Sequence, residues 1–263
     1  MTRGVLLFAF NSTEYNYVKM AEFTTRKAKH LLNLPCTLVT DKSSVIDAST
    51  ELFDQILIID SDSDNQIDGR TWLNKGRYRA YELSPYDETL LLDVDYVINS
   101  DKLNLLFDIM DDFMCHETIS YLIHGHNRHE YLSEKLSLPT LWATVIVFKK
   151  TNRVKQIFEC LKMVQENYEH YANIHKFSTD SYRNDYALTI ACRIVNGHTY
   201  IKSDIIPWNL LHIHPKTKIY NSNTEYIVLN DNWQRGKIKK EYVTIKDIDF
   251  HVIDKTNFME LIK

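Results

Sequence analysis

Short apolar runs of strand length, each closing on a polar residue, constrain this chain more than any other feature. Gly4-Val-Leu-Leu-Phe-Ala-Phe10 leads to Asn11, Cys36-Thr-Leu-Val-Thr leads to Asp41, and Gln55-Ile-Leu-Ile-Ile leads to Asp60. Glu88-Thr-Leu-Leu-Leu leads to the pair Asp93 and Asp95. Continuous apolar runs of this length are expected of strands buried on both faces of a parallel sheet. Between the first two runs, Glu14 to Leu32 places Tyr17, Val18, Ala21, Ala28, Leu31 and Leu32 at helical spacing, with basic residues late, where they suit the negative end of the helix dipole. Strand, helix, strand, link, strand is the opening of a doubly wound α/β sheet. The second half is less regular. Strands are expected at Thr118 to Ile123, Thr144 to Phe148, Tyr226 to Leu229 and Tyr242 to Ile245. Helices are expected from Lys75 to Leu83, from Asp101 to Met110 behind a Ser100 cap, over Asn152 to Tyr171, and from Asn184 to Val195 before Asn196-Gly197.

Composition narrows the function classes. The chain has 263 residues, 31 basic and 35 acidic, a net charge of −4, which excludes nucleic-acid binding by a uniformly basic surface. Only six glycines occur, and neither GxGxxG nor GxxxxGK[ST] is present, so a glycine-rich phosphate loop is not expected. No run approaches the ~18 apolar residues of a membrane span, and Val5 to Phe10 is too short for a signal-peptide core. A cytoplasmic protein without a membrane span is the expectation. Cys36, Cys115, Cys160 and Cys192 form no CxxC pair and are expected to be small core residues.

Ligands of open α/β sheets bind outside the carboxyl ends of the strands. Asp93-Val-Asp95 is the sharpest feature there. In an extended chain, residues two apart point to the same side, so both carboxylates would reach one cation. Hard divalent ions prefer such oxygens and bridge to substrate phosphates. Asp60-Ser-Asp62, Asp62-Ser-Asp64 and Asp247-Ile-Asp249 match the same string, but only Asp93-Val-Asp95 ends a buried-looking strand and precedes a helix cap. His124-Gly-His126-Asn-Arg128-His129 matches no zinc spacing and is expected to be surface or acceptor contact.

The order of a nucleotide-binding N-terminal half, a strand ending in Leu92-Asp93-Val-Asp95 with Tyr96 and Ile98, and a late histidine resembles the GT-A fold glycosyltransferases, with small phage-type nucleotide-diphospho-sugar transferases nearest in character. The resemblance implies one GT-A-like, Rossmann-like domain over 1–263. It would be a mixed, mostly parallel sheet flanked by helices, with a nucleotide-sugar-binding half at 1–110 and an acceptor-binding half at 111–263 carrying the C-terminal metal-ligand segment. It implies Mn²⁺ or Mg²⁺ on Asp93 and Asp95, bridging the donor's two phosphates, with Asp93 also near the ribose. His251 would be the third ligand, with His212 and His214 as rivals, and Lys255 would face the diphosphate. The short interval from His251 to Lys255 departs from that of glycogenin-like members. Phe10, Asn11, Ser12, Thr13 and Asp41 would hold base and ribose. Lys75 and Arg77, with Asn74 and Arg79 beside them, open the helix before the metal strand and would neutralise the diphosphate. Asp185, in Arg183-Asn184-Asp185, would contact the acceptor or take its proton, or simply favour the helix start through the dipole. Trp142 and Trp208 would line the acceptor side, although burial accounts for them equally.

The expected function is metal-dependent transfer of a sugar from a nucleoside-diphosphate sugar, a UDP-sugar first, to an acceptor hydroxyl. The acceptor would be a glycan or, from an AT-rich and viral-looking residue usage, hydroxymethylated cytosine in phage DNA within a host cytoplasm. A nucleotidyltransferase and a non-catalytic sugar-nucleotide or glycan-binding module are the alternatives.

Overall fold

The computed structural model describes residues 1–60, 66–67, 70–71, 75–122, 127–133, 138–179, 182–213, 217–221, 225–234 and 237–263. Arg3–Phe8 lies inside a six-stranded sheet, with Cys36–Thr40 and Glu88–Leu92 parallel on its two sides. Gln55–Ile58 extends the sheet beyond Cys36–Thr40 in the same direction. On the other side Trp142–Lys149 pairs antiparallel with Glu88–Leu92, and Phe113–His116 pairs antiparallel with Trp142–Lys149. One strand of the six thus runs against the rest. This is the mixed, mostly parallel sheet flanked by helices that the sequence predicts.

The apolar runs are continuous because both faces are covered. Val5, Leu7, Leu90, Leu92, Val145 and Val147 pack with Val18, Met20 and Ala21 of the helix Tyr17–Lys27. The alternate residues Leu6, Leu91, Ile146 and Phe148 pack with the helices Asn152–Glu166 and Asn184–Val195. Burying such side chains contributes about 1.5–3 kcal/mol each, so the site at the strand ends stands on a doubly covered core. All four cysteines are buried and unpaired, as expected. Among the described residues, no helix is long and apolar enough to cross a membrane.

A second sheet lies beyond the strand ends, in the order Asn127–His129, Thr118–Tyr121, Leu210–Ile213, Phe250–Val252, Tyr96–Val97. Its strands Leu210–Ile213 and Phe250–Val252 are parallel, with His212 opposite His251. Lys218–Asn221, Tyr226–Gln234 and Lys237–Ile245 form a separate antiparallel sheet.

Three local expectations are corrected. The helix expected over Asn152 to Tyr171 is two helices, Asn152–Glu166 and Tyr168–His175, because Asn167 leaves helical geometry at φ −115°. Its backbone and side-chain N–H groups both donate to Met163 O, at 3.1 and 2.8 Å, the local competition typical of asparagine. The helix expected at Asp101 begins only at Asn104. Ser100 Oγ accepts from Lys102 N at 3.3 Å and also donates to Asp249 Oδ1 at 3.0 Å, which ties it to the C-terminal segment. Strands at Phe113–His116 and Leu210–Ile213 were not anticipated. The helix Asn184–Val195 has its expected bounds, and Gly197 follows at φ +61°.

Candidate active site

Glu88–Leu92 ends one residue before Asp93, and the chain turns there. Asp93 N donates to Thr144 O at 2.9 Å, and Asp93 O accepts from Tyr96 N at 3.2 Å. Asp93 and Asp95 therefore converge through a turn, not through the extended alternation expected of a strand. Thr24 Oγ1 donates to Val94 O at 2.9 Å and holds that turn against the first helix. Val252 N donates to Asp95 O at 3.1 Å, and this backbone bond delivers His251 to the second carboxylate. His251 Nε2 lies 3.2 Å from Asp95 Oδ2. Two residues after the strand, Asp254 caps the helix Lys255–Leu261 by accepting from Thr256 N and Asn257 N, and Lys255 Nζ reaches the same Asp95 oxygen.

Asp93, Asp95 and His251 each offer a ligand atom, and the three atoms lie within 4.8 Å of one another. Two carboxylates and an imidazole suit Mn²⁺, and Mg²⁺ through the oxygens, so the residues present fit a divalent cation. Their charge is balanced by protein cations. Arg77, 2% exposed, pairs through Nη1 with Asp93 and donates from Nη2 to Ala143 O at 2.9 Å. Burial pushes the Asp93 carboxyl above its ordinary range, against the pull of Arg77. Burial opposes ionisation of Asp95 too, but Lys255 and His251 outweigh it and hold that carboxyl well below the ordinary range. Burial would lower the Lys255 ammonium, and Asp95 more than compensates, leaving it raised.

These groups line one cavity of about 270 Å³. Of the residues expected from sequence, Phe10, Arg77, Asp93, Asp95, Asp185, His251, Lys255 and Trp142 line it. Asp185 faces it from the start of the helix Asn184–Val195, its Oδ1 accepting from Ala143 N at 2.9 Å and its Oδ2 lying 3.4 Å from Arg183 Nη2. Arg77 Nε, Trp142 Nε1 and Asn184 Nδ2 are buried donors without a hydrogen-bond partner, all on residues of this lining.

Other expected residues stand elsewhere. Asn11 accepts from Val18 N at 3.0 Å and donates to Asp47 at 2.9 Å, and Asp41 Oδ1 accepts from Ser43 Oγ and Ser44 N, each at 2.7 Å. Ser12 Oγ accepts from Tyr15 N at 3.0 Å, and Thr13 is exposed. None of these four lines the cavity; they organise the loops beside Phe10. Arg79 lies 3.9 Å from Glu82, on a different surface depression. Trp208 packs under Lys102, whose Nζ is 4.3 Å from the ring centroid. Asn74, His124, His126 and His214 and the side chains of Lys75, Arg128 and His129 lie outside the described residues. His212 is described: it sits behind His251, where burial pushes its pKa down to about 2. Tyr17, Thr144 and Tyr182 line the cavity and were not singled out from sequence. The position of Tyr17 at the head of the first helix is the one signal that would have found it.

No family model matches the sequence, and no curated protein matches it. Among solved structures the chain is similar to the galactosyltransferase LgtC in complex with donor and acceptor sugar analogs, at 12% identity over 72% of this chain and 69% of that one, with a TM-score of 0.48. It is similar to mouse xyloside xylosyltransferase 1 at 10% identity over 82% and 86% of the two chains, with a TM-score of 0.48. It is also similar to the glycosyltransferase GlyE of Streptococcus pneumoniae TIGR4, at 13% identity over 72% and 43%, with a TM-score of 0.40.

Proposed function

We propose that this chain is a GT-A-type, metal-dependent glycosyltransferase that moves a sugar from a nucleoside-diphosphate sugar to an acceptor hydroxyl. The observation that carries it is a single cavity in which three cation donors, Asp93, Asp95 and His251, stand beside Lys255 and Arg77, with Asp185 on the same lining. A divalent cation and fixed ammonium or guanidinium groups can share the neutralisation of a diphosphate. A divalent cation held by Asp93, Asp95 and His251 would supply Lewis-acid stabilisation of the leaving diphosphate.

This chain's own residues account for the rest. Lys255 and Arg77 offset charge on the diphosphate as the bond from its oxygen to the anomeric carbon breaks. Trp142 and Asn184, on the same lining, bound the space that the sugar would occupy. Asp185 takes the proton of the acceptor hydroxyl as its oxygen bonds to the anomeric carbon, leaving a glycoside and a nucleoside diphosphate. In this reading residues 1–110 contribute Arg77, Asp93 and Asp95 to the donor side, and 111–263 the acceptor side together with the C-terminal metal-ligand segment that carries His251 and Lys255. The donor is proposed to be a UDP-sugar, and the acceptor a glycan hydroxyl or a hydroxymethylated base.

The test is a panel of sugar nucleotides with Mn²⁺, following donor hydrolysis and thermal shift, with Asp95→Asn beside the wild type. Asp95→Asn should lose metal-dependent turnover by at least about 100-fold while keeping its circular dichroism spectrum. Undiminished turnover in that variant sinks the metal role. Donor binding by the wild type without turnover would make the chain a binding module instead.

A further inference from the structure

Behind the lining of the site stands an imidazole with no part in the chemistry above. His212 is 1% exposed, on the strand Leu210–Ile213 beside His251. Its Nε2 stands 3.3 Å from Nδ1 of His251, and its own Nδ1 is buried without a partner. Trp142 and Tyr121 pack edge-on against the ring, with centroids 5.0 and 5.9 Å away, and confine its orientation.

Only one proton fits between the two facing nitrogens. His251 turns Nε2 toward Asp95, the side on which the cation donors gather. For that nitrogen to offer a lone pair, the ring proton must sit on Nδ1 of His251 and donate to Nε2 of His212. The His212 proton is then on its own Nδ1. The opposite assignment, with His212 donating, puts the His251 proton on Nε2 and closes that nitrogen to a cation. Metal-bound histidines generally donate their second N–H to a fixed acceptor, and no other hydrogen-bond acceptor is described for Nδ1 of His251.

We propose that His212 is a positioning residue that accepts the Nδ1 proton of His251 and so holds His251 in the tautomer whose Nε2 binds the divalent cation. This rests on the reading that Asp93, Asp95 and His251 hold that cation.

The experiment measures Mn²⁺ affinity of the full chain by electron paramagnetic resonance of free Mn²⁺, with no sugar nucleotide present. His212→Phe keeps a ring but removes the acceptor; His212→Gln keeps an acceptor oxygen. His212→Phe should bind Mn²⁺ about 10–100-fold more weakly, and His212→Gln should recover most of that loss. Histidine nitrogen NMR of the wild type with Zn²⁺, a diamagnetic ion that takes imidazole nitrogen, should show His251 protonated at Nδ1, a readout that stands even if His212→Phe does not fold. Equal losses in the two variants, wild-type affinity in His212→Phe, or a His251 proton on Nε2 overturns the proposal. His251→Ala separates the two levels: if it weakens Mn²⁺ binding and His212→Phe does not, only the positioning role fails. If His251→Ala and Asp95→Asn both leave Mn²⁺ binding unchanged, the cation site itself falls and this role with it.

Discussion

Replacing Lys255 by methionine should move cation affinity and nucleotide affinity in opposite directions. Lys255 Nζ is bonded to Oδ2 of Asp95, with 29% of its side chain exposed. In the free protein that ammonium competes with any divalent ion for the same oxygen. An ion bound there would stand about 5 Å from Nζ, and at an effective dielectric of about 40–80 the repulsion between +1 and +2 charges is about 1.5–3 kcal/mol. That corresponds to about 10–100-fold in Kd. Methionine keeps most of the aliphatic stem and removes the charge. Lys255→Met should therefore tighten Mn²⁺ binding by about 10-fold or more in the absence of nucleotide. If Lys255 serves the diphosphate as proposed, the substitution should weaken UDP binding by a similar factor at saturating Mn²⁺. Titration calorimetry for UDP and paramagnetic resonance for Mn²⁺ measure the two terms separately. A fall in both affinities, or a change in neither, refutes the placement of Lys255 between carboxylate and diphosphate.

Three further outcomes are expected. Asp185→Asn retains an acceptor for Ala143 N and should bind donor normally while kcat falls by about 10²–10⁴, so an unchanged kcat would remove Asp185 from proton transfer. A Cβ at Gly4 would lie 2.3–2.5 Å from the Tyr86 ring, which is 7% exposed and hydrogen-bonded through its hydroxyl to Thr37 at 2.8 Å. Gly4→Ala should cost about 1–3 kcal/mol, read as a fall in thermal midpoint, and an unaltered midpoint would show that the ring yields freely. Burial pushes His116 from 6.5 down to about 3, so between those values the unfolded chain holds the extra proton. Stability is complete above 6.5 and is lost as pH falls, by up to about 1.4 kcal/mol per unit from this group. Urea midpoints of wild type and His116→Phe at pH about 7 and about 5 should show a shallower pH dependence in the variant.

The central strands were legible because a doubly covered sheet writes itself as unbroken apolar runs, and the acidic residues at their ends followed from where such sheets bind ligands. Among the strands the sequence does not announce are two that contain a buried histidine: Phe113–His116 with His116, and Leu210–Ile213 with His212. A histidine looks polar in a string of letters, yet a neutral buried ring packs as an aromatic one. Asp93 and Asp95 do converge, but through a turn that the sequence does not announce, since Val94 O is held by Thr24, 70 residues away. Asn11 and Asp41 illustrate the opposite difficulty. Short polar side chains after a strand satisfy backbone N–H groups of their own loops as readily as they meet a ligand, and residue type does not distinguish the two uses.

The backbone of Ala143 accepts from Arg77 through its carbonyl and donates to Asp185 through its nitrogen. It sits on the one strand that runs against its neighbours, so the two successive peptide units that meet at one Cα couple the anchor beneath one carboxylate to the orientation of another across the cleft. Because that duty belongs to main-chain atoms, many small residues at 143 would preserve it, and variability at this position would disguise its importance. Proline alone would forfeit the N–H, and would free Asp185 from the strand without altering any other side chain of the pocket.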